Sequence, residues 1–165
     1  MELVNGWLES YGDSAVYLLF ILAFAEACVV IGLFVSGALL LLLSSVLYSN
    51  DVVGLETIML LGFAGATLGD HLGFYCGVFL GPGFHQSKWV VKNRSRLEKS
   101  EAIIKQYGGF AIFIGRFVPA VRSVVPALIG ISGFSRKRYT LLDLTACAVW
   151  SGALAIIVLG IDNTF

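Results

Sequence analysis

Two arginines and two acids stand inside apolar stretches of this chain, where an unpaired charge is costly. Arg116 and Arg122 are six residues apart, Glu26 lies in the first apolar stretch, and Asp70 lies in the middle of another. A guanidinium group is a planar fork that binds phosphate through two hydrogen bonds. Because ionisable residues at membrane depth are usually functional, these four predict a site for an anionic group. The alternative is a structural ion pair, between Arg122 and either acid, that only ties segments together.

The composition places these residues in a membrane protein with a single domain. The chain of 165 residues is 58% hydrophobic, with a mean hydropathy of +0.87. Its runs at 16–35, 58–80 and 141–160 carry almost no charge, and about 20 apolar residues span a bilayer core of about 30 Å. The formal net charge of zero argues against nucleic acid as a partner.

The distribution of basic residues predicts which loops face the cytoplasm. All eleven Lys and Arg residues lie at or after Lys88, whereas the residues before it carry acids only. Apart from the two arginines above, the basic residues fall in two loops, 84–106 and 135–138. Basic loops stay on the cytoplasmic side of a membrane, so both loops should face inward.

The segment between these loops, 110–134, is therefore predicted to enter and leave the membrane by one face. A single crossing would put one basic loop outside and both arginines in hydrocarbon, at about 2.5–3.5 kcal/mol each. Pro119, Pro126 and Gly130 interrupt or shape the segment, and broken backbone at membrane depth needs protein or a wet cavity around it. We expect a re-entrant helical hairpin that bends near residues 119–122.

The first half of the chain shows a related pattern when the sequence is shifted by 96 residues. Gly37 then falls on Gly133, and Glu26 falls on Arg122. The arm 36–48 is about 20 Å long as a helix, too short to cross comfortably. We therefore expect a second hairpin within 16–48 that breaks between Gly32 and Gly37, with two short spans as the alternative.

These elements define an all-α integral membrane protein built as an inverted repeat. Repeat 1 covers about 1–83 and repeat 2 about 95–165 of a single membrane domain, 1–165. Each repeat has an amphipathic surface helix (3–11 and 97–107), a re-entrant hairpin and a transmembrane helix. Inverted repeats with broken helices meeting near the midplane are typical of secondary transporters. Glycines spaced by four along the span 58–80 predict a smooth packing ridge, at Gly65, Gly69, Gly73, Gly77 and Gly81.

The motifs resemble those of the DedA membrane proteins over about residues 15–160. The stretches 24–26 and 32–37 resemble the family's opening motif, and 69–77 is similar to its glycine-rich GD motif. Residues 113–130 match the signature F-x-x-R-x-x-P-x-x-R-x-x-x-P-x-x-x-G. Trp150 occupies the aromatic position of the following helix. Two features depart from the family pattern: residues 36–38 lack a second acid, and relatives usually continue into one further helix beyond Phe165.

The resemblance implies a multi-pass protein of the bacterial inner (plasma) membrane with membrane lipids as partners. DedA proteins are thought to return undecaprenyl phosphate across the bilayer. The resemblance places Glu26, Asp70, Arg116 and Arg122 at the working site, where they would handle this or a similar anionic polyprenyl phosphate. The resemblance does not define which lipid is moved, in which direction, or whether transport is coupled to protons or sodium. A homodimer is one possible oligomeric state.

Other function classes are a proton-coupled small-solute transporter or a general phospholipid scramblase involved in membrane homeostasis. An enzyme needs a nucleophile or a metal cluster, and His71 and His85 lack any ligand spacing. We therefore expect no catalytic residues, no metal and no cofactor.

Overall fold

A computed structural model describes most of the chain. It covers residues 2–29, 31–33, 37–81, 102, 104, 106–118 and 121–163, with the backbone alone for 2–13, 15 and 33. Pro119 and most of the predicted surface helix 97–107 lie outside these residues.

All regular structure in this part of the chain is helical. Short 3-10 turns occupy Ile31–Leu33 and Gly108–Phe110. The α-helices, in chain order, are α1 Glu2–Ala27, α2 Gly37–Ser49, α3 Leu55–Leu80, α4 Ala111–Phe117, α5 Val125–Ile131 and α6 Arg136–Asp162. The predicted all-α class is confirmed.

The first half contains a helix break close to the expected place. Helix α1 ends at Ala27, and α2 begins at Gly37. The structure corrects the prediction of a separate surface helix over 3–11, because α1 runs without interruption from Glu2. The junction at residues 12–15 holds one glycine and no proline. One glycine costs about 1 kcal/mol of helix propensity and does not by itself end a helix.

The second half has its break where the prolines predicted it. Helix α4 ends at Phe117, Val118 is extended, and a turn at 121–124 leads into α5. Pro126 sits in the first turn of α5, where its missing N–H leaves no helical hydrogen bond unmade. The proline therefore permits the new helix to start rather than breaking it.

Helices α3 and α6 run antiparallel. Ile58, near the start of α3, shares a hydrophobic cluster with Leu154 and Val158 near the end of α6. At the other end, the ring of Phe74 stacks on Tyr139 with centroids 3.9 Å apart. Each end of this helix pair therefore has its own apolar cluster, and the polar site lies between the two.

The glycine ridge of α3 is a packing seam at four of its five positions. A Cβ atom at Gly65 or Gly69 would lie 2.6 Å from atoms of α1. Gly73 faces Val29 and Pro126, and at Gly77 a Cβ would collide with the carbonyl of Ala127 in α5. The fifth glycine, Gly81, departs from the prediction: it caps α3 with a φ of 56°, a left-handed conformation that favours glycine.

The seam brings both helix breaks to the same level of the molecule. Helix α1 ends with Ala27 beside Gly69, and Arg116, in the last turn of α4, pairs with the adjacent Asp70. Asp70 lies about 22 Å along α3 from its first residue, at 1.5 Å per residue. Both chain breaks therefore meet the middle of α3 rather than one of its ends.

In the described part of the chain, one helix, α6, is long and apolar enough to cross a membrane. Its mean hydropathy is 2.2. The predicted span 58–80 does form a continuous helix, α3. The mean hydropathy of α3 is lowered by Asp70, His71 and the glycines of the seam. Residues 16–27 of α1, helix α2 and the segment Gly108–Phe117 are shorter apolar helices.

Candidate functional site

The two halves of the chain are joined by an ion pair between Glu26 and Arg122. Glu26 lies in the last turn of α1 and is 4% exposed. Nη1 of Arg122, in the turn before α5, donates to Oε1 of Glu26 at 2.5 Å. These are the residues that the 96-residue shift aligned, and in the structure they are in direct contact.

A second ion pair lies deeper and joins Arg116 to Asp70. Nη1 of Arg116 donates to Oδ2 of Asp70, and the side chains are 4% and 6% exposed. Oδ1 of Asp143, on α6, lies 3.9 Å from the same Nη1 atom. The four predicted site residues therefore converge as two buried pairs, with Asp143 as a third acid.

The indole ring of Trp150 lies beside both arginines. The guanidinium carbon of Arg116 is 5.3 Å from the ring centroid, and that of Arg122 is 5.2 Å away. A cation within about 6 Å of an aromatic ring is attracted by the ring's π electrons, by about 0.5–2 kcal/mol. Trp150 thus holds the two guanidinium groups at one place while leaving their other hydrogen-bond donors free.

A histidine extends the network from Asp143 toward the surface. Nδ1 of His71 lies 3.2 Å from Oδ2 of Asp143 and 2.9 Å from the carbonyl of Thr67. Nε2 of the same ring lies 3.2 Å from the hydroxyl of Thr140. Because Nδ1 faces two acceptors, it carries the hydrogen. The hydroxyl of Tyr139 donates to the backbone carbonyl of Asp70 at 3.2 Å and braces the helix there.

Several buried donors in this site lack a partner. Among the described residues, Nε and Nη2 of Arg116 and Nη2 of Arg122 make no hydrogen bond, and Oε2 of Glu26 accepts none. An unsatisfied buried group of a charged residue costs about 1–3 kcal/mol or more. Such donors can be satisfied by a ligand with several acceptor oxygens.

The cavity between the arginines is small in this conformation. It measures about 10 Å³, the lower limit for one water molecule. Its lining residues are Asp70, Ile112, Arg116, Arg122, Val125, Pro126, Tyr139 and Asp143. A phosphate group does not fit in this cavity.

Gly37 and Gly130, which were expected to shape the hairpins, both allow close approach of neighbouring groups. A Cβ at Gly37 would collide with Oε1 of Glu26, and one at Gly130 would collide with the carbonyl of Phe74. Gly37 therefore leaves room for the acid that binds Arg122. Gly130 lets α5 lie against α3.

Asp143 is a site residue that the sequence analysis missed. It is 1% exposed and contacts both Arg116 and His71. Asp143 lies inside the apolar run 141–160 just as Asp70 lies inside 58–80, and this position is the sequence signal that could have identified it. The sequence also gave no reason to bring His71 into the network, since its partners Asp143 and Thr140 lie about 70 residues away in sequence.

A cluster with metal-binding residue types overlaps this network. Ligand atoms of Asp70, Asp143 and Cys147 lie within 4.8 Å of one another. The carboxylates already face Arg116 and His71, so a metal cation there would compete with groups that carry or can carry positive charge. The cluster is better described as the acidic side of the ion-pair network.

Comparison with known proteins identifies the class to which this fold and site belong. The VTT domain matches residues 29–160, which include Asp70, Arg116 and Arg122 and begin three residues after Glu26. The chain belongs to this family, that of the DedA membrane proteins. No solved structure matches the chain.

Curated relatives of the chain include three bacterial proteins. The membrane protein YbfM of Bacillus subtilis is 28% identical over 91% of this chain and 90% of its own length. Inner membrane protein YabI of Escherichia coli is 27% identical over 84% of the chain and 56% of its own length. Protein DedA of Escherichia coli is 27% identical over 87% of the chain and 67% of its own length. The chain thus spans nearly all of YbfM but just over half of YabI.

Proposed function

We propose that this membrane protein moves an anionic polyprenyl phosphate, such as undecaprenyl phosphate, across the bacterial inner membrane. The two predicted hairpins would enter from opposite faces and present their arginines and acids to the lipid headgroup. The polyprenyl tail stays in the bilayer, so the protein has to shield the phosphate alone.

The observation that supports the proposal is the presence of two neighbouring arginines, Arg116 and Arg122, with buried donors that lack a partner among the described residues. Nε and Nη2 of Arg116 and Nη2 of Arg122 converge beside one cavity. A phosphate that leaves water needs charge-assisted hydrogen bonds to replace its hydration, and a guanidinium group supplies two at once. Glu26 and Asp70 hold the arginines in place until the headgroup displaces them.

The small cavity supports a mechanism in which binding requires opening. In the closed state the arginines are neutralised by acids, which lowers the cost of burying them. Entry of the headgroup would separate one ion pair, and a proton taken up by the site would balance the charge of the freed carboxylate. The glycine seam of α3 supplies smooth surfaces against which both helical arms can shift.

Reconstitution in liposomes tests this function. Purified protein is placed in vesicles that contain a fluorescent polyprenyl phosphate, and a membrane-impermeant quencher reports how much lipid reaches the outer leaflet. We expect the wild-type protein to raise the exchange rate. Arg122→Ala should lower this rate by about tenfold or more, because losing charge-assisted hydrogen bonds of about 1.5–3 kcal/mol corresponds to that factor.

Arg138→Ala is the matched control. Arg138 is exposed at the start of α6, so its loss removes one positive charge without touching the site. Wild-type exchange rates in Arg122→Ala would contradict the arginine role. Equal exchange of a neutral phospholipid would favour the general scramblase, and solute or proton flux in vesicles without carrier lipid would favour the small-solute transporter.

A further inference from the structure

The ion-pair network does not balance its own charge. Among the described residues it contains three carboxylates, on Glu26, Asp70 and Asp143, and two guanidinium groups, on Arg116 and Arg122. An uncompensated charge buried at membrane depth is costly. One bound proton makes this network neutral, and His71 is in direct contact with the acid that has no guanidinium of its own.

From this geometry we infer that His71 and Asp143 form a coupling-proton site, distinct from the phosphate site at the arginines. The inference rests on the proposed transport of a lipid phosphate and adds where its proton binds. It assigns the proton to a pair on α3 and α6 rather than to Glu26 or Asp70.

The ring geometry of His71 shows where the proton is exchanged. Nδ1 faces the Thr67 carbonyl and Asp143, so its hydrogen stays in place in both charge states. Nε2 faces the Thr140 hydroxyl, which can accept a hydrogen bond from a charged ring or donate one to a neutral ring. The proton is therefore gained and lost at Nε2. Histidine is the side chain that ordinarily changes charge between pH 5 and 8.

The pair also connects the surface to the buried arginine. The His71 side chain is 20% exposed, whereas that of Asp143 is 1% exposed. Arg136 belongs to the exposed basic cluster 136–138 at the start of α6. Along this helix, Thr140 lies about 6 Å from Arg136, whereas Trp150 lies about 21 Å from Arg136. Protons therefore reach His71 from the face that the basic residues mark, which the sequence predicts to be cytoplasmic.

The groups that surround the His71–Asp143 pair leave this pair as the part of the network that can exchange a proton. From α4 it is faced by Arg116, which Asp70 on α3 already binds. Helix α5 carries no titratable residue, and Glu26 of α1 is paired with Arg122. Of the residues that the structure describes, the other titratable neighbours are Tyr75, Tyr139 and Cys147.

Proton binding at this pair frees Arg116 for a phosphate. When His71 is charged, it holds Asp143 and the network is neutral. When His71 is neutral, the full charge of Asp143, 3.9 Å from Arg116, attracts the guanidinium and repels an anionic headgroup. Proton and phosphate therefore favour each other's binding, and the coupling is reciprocal.

Transport assays across pH test the inference. Exchange of polyprenyl phosphate is measured between pH 6 and 8 for wild type, Asp143→Asn and His71→Gln, after subtraction of protein-free vesicles. We expect the wild-type rate to fall by about fivefold or more as pH rises, in line with one titrating histidine. Both variants should lose most of this pH dependence: His71→Gln, whose side chain stays neutral, should show the slow rate of the wild type at pH 8 throughout, and Asp143→Asn, which removes the repelling charge, should not slow as pH rises.

The controls separate this inference from the function on which it rests. Asp162→Asn removes an exposed acid at the far end of α6, where it accepts from Ser49, and should keep the wild-type pH profile. The phosphate headgroup of the lipid also titrates, but this changes the exchange rate of the wild type and of every variant alike. The comparison between the proteins is therefore unaffected. A wild-type pH profile in either variant that folds as a monodisperse protein overturns the coupling site and leaves the proposed function intact. Absence of lipid exchange by the wild type at every pH overturns both.

Discussion

At the scale of single residues, the site is a meeting of buried charges from distant parts of the chain. Glu26, Asp70, Arg116 and Arg122 were predicted from their positions inside apolar stretches, and the structure pairs all four. Asp143 was not predicted, since an acid five residues beyond a basic loop can equally face the membrane surface. Only packing shows that its side chain turns inward.

The Glu26–Arg122 pair should show strong energetic coupling. Removing one partner leaves the other charge buried, which costs about 3–5 kcal/mol. Glu26→Gln and Arg122→Gln are each expected to lower the free energy of unfolding in detergent by an amount in this range. The double variant should lose less than the sum of the two, by at least about 1 kcal/mol.

Thermal or denaturant unfolding of the four proteins measures this coupling. Ser132→Ala, at an exposed position outside the network, gives the effect of an unrelated substitution in the same half. Additive losses in the double variant would mean that Glu26 and Arg122 stabilise the fold separately, contrary to the ion pair.

At the scale of elements, close helix packing brings the two breaks to the middle of α3. The four-residue glycine spacing predicted a smooth ridge, and the structure adds its partners: α1 at Gly65 and Gly69, and α5 at Gly77. Which helix each glycine faces could not be predicted, because spacing defines one face of a helix but not its neighbour. The continuous helix α1 was not predicted, because residues 12–14, a glycine followed by two polar residues, resemble the boundary between two helices. They do not form a strong stop signal, and the helix continues through them.

Gly77→Ala should disturb this packing. Its Cβ would overlap the carbonyl of Ala127, which is backbone and cannot rotate away. We expect a loss of about 1–3 kcal/mol of stability, typical of overpacking, seen as a lower midpoint of thermal unfolding. Gly152→Ala in α6 is the matched control, because nothing lies within 4 Å of its Cβ position. Equal midpoints for the two variants would contradict the seam.

At the scale of the whole molecule, the helix ends meet at two separate places. The end of α2 meets the end of α6 through the hydrogen bond from Ser49 to Asp162, at 2.6 Å. The start of α6 lies instead beside the end of α3. The basic residues predicted from sequence that the loop after α3 and the loop before α6 share one face of the membrane. Placement relative to a bilayer stays a prediction.

Cysteine labelling in intact cells or spheroplasts tests this topology. In a variant whose three native cysteines are replaced, single cysteines at Gln106 and Ser135 flank the second hairpin. Both should react from the cytoplasmic face, while cysteines at Asn50 and Asn163 should react from the other. Labelling of Gln106 and Ser135 from opposite faces would make 110–134 a simple span.

The account depends most on the claim that Arg116 and Arg122 recognise a lipid phosphate, and a binding measurement addresses it directly. Native mass spectrometry compares retention of a polyprenyl phosphate and of the uncharged polyprenol by the wild type and by the Arg116→Gln, Arg122→Gln double variant. The account predicts that the wild type retains the phosphate at least about tenfold more than the alcohol, and that the double variant loses this preference. Equal retention of both lipids by the wild type, or an unchanged preference in the double variant, would contradict it.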